Sequence, residues 1–178
     1  MTSKRVTVLS AALACLCFGG EAYAEGECSN ATLRGAYGFS VHGQLLGLLD
    51  TQGLHPYTTA SIIDGVALQK FDGAGHFART DFLTVNGAPR AAQTAFNPNQ
   101  TGTYTVNADC TGSMHMVYNS GAVLDAQIVV ADEGKIVKGI LSAETVPSSE
   151  PAADGTQCSA NCVLGVQVSL DGRKVEGR

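Results

Sequence analysis

Four histidines are the side chains of this sequence best suited to proton transfer, because histidine titrates near neutral pH. They are His42, His55, His76 and His115. No two of them have a spacing typical of a metal site, so we predict neither a metal nor another cofactor. His55 lies in a predicted loop and His76 beside a predicted turn, whereas His42 and His115 lie within predicted strands.

The neighbours of His115 leave its orientation open. His115 lies between Met114 and Met116, and successive side chains of a strand point to opposite faces of the sheet. If the methionines fill the core, His115 is exposed to solvent. If His115 points inward, it is a polar group in the interior that could transfer a proton.

Arg79 and Asp81 lie on one face of a predicted strand, together with Phe77, Leu83 and Val85. The alternation of this strand indicates that the shared face is buried. An ion pair on the surface of a protein is common and contributes little to stability. In the interior, the loss of hydration makes such a pair energetically costly, and its presence therefore indicates a functional site. Two explanations stay open: a polar contribution to the interior, or a β-bulge that switches faces.

Further polar residues, Asp64, Asp125 and Gln127, also lie within strand patterns. The sequence contains no Gly-x-Ser-x-Gly motif and no phosphate-binding loop before a helix, so no catalytic set is identified. The candidate ligand-binding residues are those that could line an interior or a lid over it: Tyr37, His42, Leu48, Asp64, Arg79, His115 and Tyr118.

The element that would position most of these side chains is a β-hairpin over residues 60–86. Its turn contains Asp72, Gly73 and Gly75, residue types that tolerate the positive φ of a tight turn. Short turns between strands indicate antiparallel neighbours. We predict an all-β fold, an eight-stranded antiparallel closed barrel, with a β-sandwich as the alternative. Besides the two hairpin strands, the strands are expected at residues 33–43, 102–107, 113–118, 122–131, 135–143 and 162–170.

Residues 44–59 form the least regular long segment, because glycine and proline interrupt a run of leucines that includes Leu45, Leu48 and Leu54. So many leucines must be buried somewhere. We expect a loop that covers one end of the core, or an apolar lid over a ligand cavity.

The first 24 residues are predicted to be a secretory signal peptide. Lys4 and Arg5 precede an apolar run over residues 6–18, and Ala22-Tyr23-Ala24 is a small-x-small cleavage site. We therefore expect a secreted or periplasmic protein, cleaved after Ala24, whose residues 25–178 form a single domain. No stretch has the roughly 20 apolar residues of a membrane-spanning helix.

Cysteine usage agrees with export. Cys28, Cys110, Cys158 and Cys162 would remain after cleavage, and an even number in an exported protein indicates disulfides. Three pairings are possible, of which we favour Cys28–Cys110 and Cys158–Cys162. Their spacing is not that of a zinc site.

The charge pattern argues against two classes of partner. The chain carries 16 acidic and 11 basic residues, a net charge of −5, and no basic cluster. Nucleic-acid binding and attachment to a membrane through a basic helix are therefore not expected. The oligomeric state is not predicted.

Three segments, residues 28–39, 71–75 and 102–113, carry a family resemblance. They begin with Cys28-Ser29-Asn30-Ala31-Thr32-Leu33, Phe71-Asp72-Gly73 and Gly102-Thr103-Tyr104. In order and spacing the chain resembles a group of exported bacterial proteins of unknown function, which is similar to the allene oxide cyclase barrel superfamily. The resemblance implies a closed antiparallel barrel with an apolar interior, which in the cyclases folds a flexible substrate and acts largely by positioning. It assigns no catalytic residue.

Three functions are compatible with these observations. The first is binding of an apolar or amphipathic small molecule in the lumen, without chemistry. The second is a cyclase or isomerase that uses the same lumen. The third is a structural or adhesive surface module whose barrel is filled by side chains. A cavity of about 300 Å³ or more, open at one end, favours the first two over the third.

Overall fold

A computed structural model describes residues 27–176, and these residues form one antiparallel sheet. Helical structure in the described range is limited to short 3₁₀ turns, and none of its helices is long and apolar enough to cross a membrane. The strands are β1 (Arg34–Asp50), β2 (Gly53–Asp72), β3 (His76–Val85), β4 (Ala88–Pro89), β5 (Asn97–Val106), β6 (Thr111–Val117), β7 (Val123–Ala131), β8 (Ile136–Val146) and β9 (Cys162–Lys174).

The eight long strands form a ring of pairings. Their order is β2-β1-β9-β8-β7-β6-β5-β3, and β3 pairs in turn with β2. The two-residue strand β4 pairs only with β3. This confirms the all-β prediction and the eight antiparallel strands. One sheet, rather than the two of a sandwich, carries the fold.

The predicted hairpin is confirmed as β2 and β3, whose register joins Phe71 to Phe77. Asp72 holds its turn, since the Oδ1 atom accepts hydrogen bonds from the backbone N–H groups of Ala74 (2.7 Å) and His76 (3.0 Å). Gly73 and Gly75 have φ values of 82° and 109°, which glycine adopts without steric cost.

The expected loop over residues 44–59 is wrong, because strands β1 and β2 continue through it. Only the residues between Asp50 and Gly53 turn the chain. A register shift between Leu45 and Gly47 marks a bulge in β1, and an extra residue in a strand breaks the regular alternation by which strands are identified. Leu48 is buried beyond the bulge.

The two ends of the ring differ in how completely side chains fill the interior. The connections β2–β3, β5–β6 and β7–β8 lie at one end, which we call the closed end. Five aromatic rings pack there, and Phe71 contacts most of them edge to face: its centroid lies 4.9 Å from that of Tyr104 and 5.1 Å from that of Tyr37. Such pairs stabilise beyond the area that they bury. The other members are Phe39 and Phe77.

Both favoured disulfides are confirmed. Cys28 pairs with Cys110 at the closed end (Cα–Cα 5.0 Å), and Cys158 pairs with Cys162 before β9 (Cα–Cα 5.6 Å). The predicted signal peptide and its cleavage site after Ala24 lie outside the described residues.

The two disulfides should differ in their effect on stability. Cys28 and Cys110 are 82 residues apart, and Cys158 and Cys162 only 4. We expect replacement of Cys28 and Cys110 by alanine to lower the free energy of unfolding by about 4 kcal/mol, because a longer closed loop restricts the unfolded chain more. Replacement of Cys158 and Cys162 should cost about 2 kcal/mol. Urea denaturation of the two double variants measures the difference, and equal losses would contradict it.

Candidate functional site: a cavity at the open end

A cavity of about 300 Å³ lies inside the ring at the end opposite the aromatic cluster. We call this the open end, where the connections β1–β2, β3–β5, β6–β7 and β8–β9 lie. Most of the cavity wall is apolar, contributed by Val41, Leu45, Tyr57, Ile63, Leu83, Val85, Met116, Leu124, Leu141, Val146, Leu164, Val168 and Leu170. A space of this size and lining is typical of a small-molecule site.

Buried polar side chains, which we call the polar layer, lie between the cavity and the aromatic cluster. They are Gln69, Arg79, Asp81, Gln100 and Tyr118. The Asp81 carboxylate accepts hydrogen bonds from Gln100 Nε2 (2.7 Å) and the Tyr118 hydroxyl (2.9 Å). Arg79 Nη1 donates to Gln69 Oε1 (3.2 Å), and Arg79 Nε lies 3.6 Å from Asp81 Oδ2.

Arg79 and Asp81 are therefore both inside the ring, which answers the question left open by the sequence. Their side chains are 2% and 1% exposed. Burying two charges costs several kcal/mol per ion unless each is paired and hydrogen-bonded. The Asp81 oxygens meet that condition, whereas Arg79 Nε has no hydrogen-bond partner among the described residues.

Tyr118 and Glu144 give the cavity two buried acids. Burial raises the pKa of the Tyr118 hydroxyl; the positive charge of Arg79 opposes this rise, and the Asp81 carboxylate that accepts the hydrogen bond adds to it. Burial likewise raises the pKa of Glu144, which Arg90 partly opposes. Both groups can therefore carry a proton in an apolar cavity.

Sequence reasoning missed Glu144 because of a bulge. The pairing of β7 with β8 shifts register where Asp125 and Ala126 oppose Ala143 and Leu141. Leu141 and Glu144 consequently both point inward, although strict alternation would separate them. The predicted strand ended at Ala143, so its end gave no sign of a buried carboxyl.

Arg90 enters the cavity from the β3–β5 connection. Its guanidinium carbon lies 5.1 Å from the centroid of the Tyr118 ring, a cation–π contact. The next two residues, Ala91 and Ala92, have φ values of 48° and 56°. A non-glycine residue keeps this conformation only where its surroundings hold it. Nothing in the local sequence pattern marks Arg90 as a cavity residue.

The β8–β9 connection, residues 147–161, contributes Ser148, Ser149 and Glu150 to the cavity lining. We call it the strap. It is docked on β2: Ala153 N–H donates to the Pro56 carbonyl (2.8 Å), and the Tyr57 hydroxyl bonds the Ser149 hydroxyl. Ala152 is buried in a small cluster with Leu48, Tyr57, Cys162 and Leu164.

His55 ties the strap to the β1–β2 turn. Its Nδ1 lies 2.7 Å from Asp154 Oδ2, and its Nε2 lies 3.2 Å from Asp50 Oδ2. The hydrogen bond to Asp154 and, after it, the contact with Asp50 raise the His55 pKa. The bond from His55, together with those from Thr156, lowers the Asp154 pKa to about 2.

Only two of the seven sequence candidates line the cavity. Arg79 and Tyr118 line the cavity. Leu48 is buried beneath the strap, not in the cavity wall. Tyr37 is at the closed end, where its hydroxyl donates to the Gly134 carbonyl.

An interior position for His42, Asp64 and His115 is wrong. All three are exposed on the outer face. His42 Nδ1 lies 2.8 Å from Asp64 Oδ1, and His115 Nδ1 lies 2.7 Å from Asp125 Oδ1. Met114 and Met116 fill the core and turn His115 outward.

Loss of the carboxylate charge should destabilise the protein more at the buried Asp81 than at the exposed Asp125. Asp81→Asn should lower the free energy of unfolding by about 3 kcal/mol, because it leaves the Arg79 guanidinium buried without its counter-ion. The matched variant Asp125→Asn removes only an exposed pair and should cost less than about 1 kcal/mol. Urea denaturation near pH 7 measures both, and an Asp81→Asn loss no larger than that of Asp125→Asn would count against the buried pair.

Attachment of the strap should depend on pH. A raised His55 pKa means that its contribution is full below the ordinary value of 6.5 and is lost as pH rises through the raised pKa. The lowered Asp154 pKa gives a contribution that is present above 3.8 and lost as pH falls towards about 2. We expect amide protection factors in residues 147–161 to fall as pH rises above 6.5 and through the raised His55 pKa.

Two substitutions test whether His55 causes the pH dependence of amide protection in the strap. His55→Gln should remove the pH dependence of protection in the strap, whereas His42→Gln, in an outer-face pair, should leave it unchanged. Persistence of the full dependence in His55→Gln would show that another group controls the strap.

Comparison of the sequence with protein-family models and with curated proteins finds no match. Function is therefore argued from the cavity and from the side chains that line it.

Proposed function

We propose that this protein is an exported small-molecule-binding protein, and that its ring of strands is a barrel like that of the allene oxide cyclase superfamily. The ligand is an apolar or amphipathic molecule held in the cavity at the open end. The observation that carries the proposal is the cavity itself, about 300 Å³ of space with a mainly apolar wall inside the ring. A surface module with a filled interior would need no such space.

The contrast between the two ends of the ring supports this function. Aromatic rings fill the closed end, so the chain has residues that can pack a ring of this diameter. At the open end, side chains leave a cavity instead. Unfilled apolar space weakens a protein, because its lining loses packing contacts, and a bound ligand would restore them.

The two disulfides support export, because such bonds persist in oxidising compartments. A signal peptide cleaved after Ala24 would deliver residues 25–178 to the periplasm or the medium. This part of the proposal rests on the sequence.

A cyclase or isomerase is the second candidate, and one observation favours it. The Tyr118 hydroxyl and the Glu144 carboxyl line the same apolar cavity, and burial raises the pKa of each. Groups that keep a proton near an apolar substrate can act as general acids. Turnover of a bound molecule, abolished in Glu144→Gln, would distinguish an enzyme from a binding protein.

Binding of N-phenyl-1-naphthylamine tests the proposed function directly. This neutral probe fluoresces strongly in an apolar environment, and we expect saturable binding to the purified protein. Leu124→Trp, which fills the cavity, should weaken binding by about tenfold or more, equivalent to about 1.4 kcal/mol. Val129→Trp places the same bulk on the outer face of the same strand and should leave the dissociation constant unchanged.

Failure of the native protein to bind the probe would contradict a ligand-binding cavity. Equal weakening by Leu124→Trp and Val129→Trp would place the probe elsewhere than in the cavity.

A further inference from the structure

We propose that the ligand is an amphipathic anion whose charged group binds the Arg90 guanidinium inside the cavity. This inference rests on the proposed function and narrows it from apolar or amphipathic molecules in general to those with a carboxylate, sulfonate or similar group on an apolar body.

Arg90 is the cation of the cavity that lacks an anionic partner. Among the described residues, no carboxylate forms an ion pair with its guanidinium within 4.0 Å, and no side-chain hydrogen bond includes Arg90. Its position is nevertheless defined, because it stacks 5.1 Å from the Tyr118 ring centroid. A guanidinium held in place with unoccupied N–H groups is suited to bind an oxyanion.

None of the carboxylates in the cavity lining or the polar layer forms an ion pair with Arg90. Asp81 is the counter-ion of Arg79 and is already hydrogen-bonded to Gln100 and Tyr118. Its carboxylate therefore has little capacity left for Arg90. Of the two acidic residues in the cavity lining, Glu150 belongs to the exposed strap, where water screens it.

Glu144 is the other acidic residue of the cavity lining, and it is buried in a mainly apolar wall. Burial raises the pKa of Glu144, and although Arg90 partly opposes that rise, the two groups form no ion pair within 4.0 Å. Asp81 offsets the charge of Arg79, and no carboxylate of the described residues forms an ion pair with Arg90, which leaves the positive charge of its guanidinium available to a ligand. An anion neutralises that charge, whereas a cationic ligand would be repelled by it.

Most of the remaining cavity wall is apolar, and it determines which kind of body the ligand can have. Val41, Leu124, Leu141 and Val168 line the same cavity and offer no further hydrogen bonds. They suit a hydrocarbon or aromatic body. One anionic group on an apolar body satisfies both parts of the cavity.

Two fluorescent probes that share an aromatic body distinguish the contribution of ligand charge to binding from that of apolar contacts. 8-Anilinonaphthalene-1-sulfonate carries a sulfonate that N-phenyl-1-naphthylamine lacks. Arg90→Gln should weaken sulfonate binding by about tenfold or more, because a hydrogen bond to a charged group is lost. It should change binding of the neutral probe by less than about twofold. Arg173→Gln, which removes an exposed arginine outside the cavity, should change neither.

The outcomes separate the two proposals. If the neutral probe does not bind the native protein, the proposed function itself fails. If the neutral probe binds but Arg90→Gln weakens both probes equally or neither, a ligand-binding cavity stands and the anion site is overturned. Retained binding of the neutral probe by Arg90→Gln also shows that the variant is folded.

Displacement of the neutral probe by decanoate, decanol and decylamine extends the test to a second apolar body. Decanoate should be the most effective competitor for the native protein and should lose that advantage in Arg90→Gln. Stronger displacement by decylamine than by decanoate would overturn the proposal.

Discussion

Backbone pairing between β1 and β9 joins the two ends of the described chain, from Tyr37 opposite Lys174 to Leu48 opposite Leu164. Every other neighbour in the ring is consecutive along the chain, apart from the short β4. Without this one pairing the sheet would have two free edges and no enclosed interior. The burial of Arg79 and Asp81 depends on it, because only an enclosed space can exclude water from both charges.

The interior is divided along its length by the polar layer. On one side, Phe71 and its aromatic neighbours fill the ring; on the other, the wall opens into the cavity. Gln69 is paired across the sheet with Tyr37 of β1 and with Arg79 of β3, and its side chain bonds Arg79. The polar layer thus forms the floor of the cavity, and its internal hydrogen bonds hold Tyr118 against Arg90.

Much of the fold could be predicted from local signals. Asp72 and the glycines beside it specify a turn through backbone geometry alone, and four cysteines in a predicted exported chain restrict the pairing to three possibilities. Alternation also placed Arg79 and Asp81 on the buried face with Phe77. These features depend on neighbours a few residues away, which a sequence displays directly.

The candidate site was harder to predict because its residues depend on register and on irregular connections. A bulge turns Glu144 inward, and strict alternation cannot show it. Arg90 enters from a connection held by the positive φ values of Ala91 and Ala92. His42 lies on the face of β1 opposite Phe39 and Val41, and the alternation of this strand therefore indicated its outward orientation, although we included it among the candidates.

The attachment of the strap has a consequence for kinetics. Residues 147–161 contribute to the cavity lining and are held by the Pro56 carbonyl, by Tyr57 and by His55. For a ligand held in the cavity as proposed, departure past this segment would require those contacts to break. Its residence time would then depend on how often the strap detaches, whereas its affinity would depend on the cavity wall. Release could thus be fast or slow for the same equilibrium occupancy.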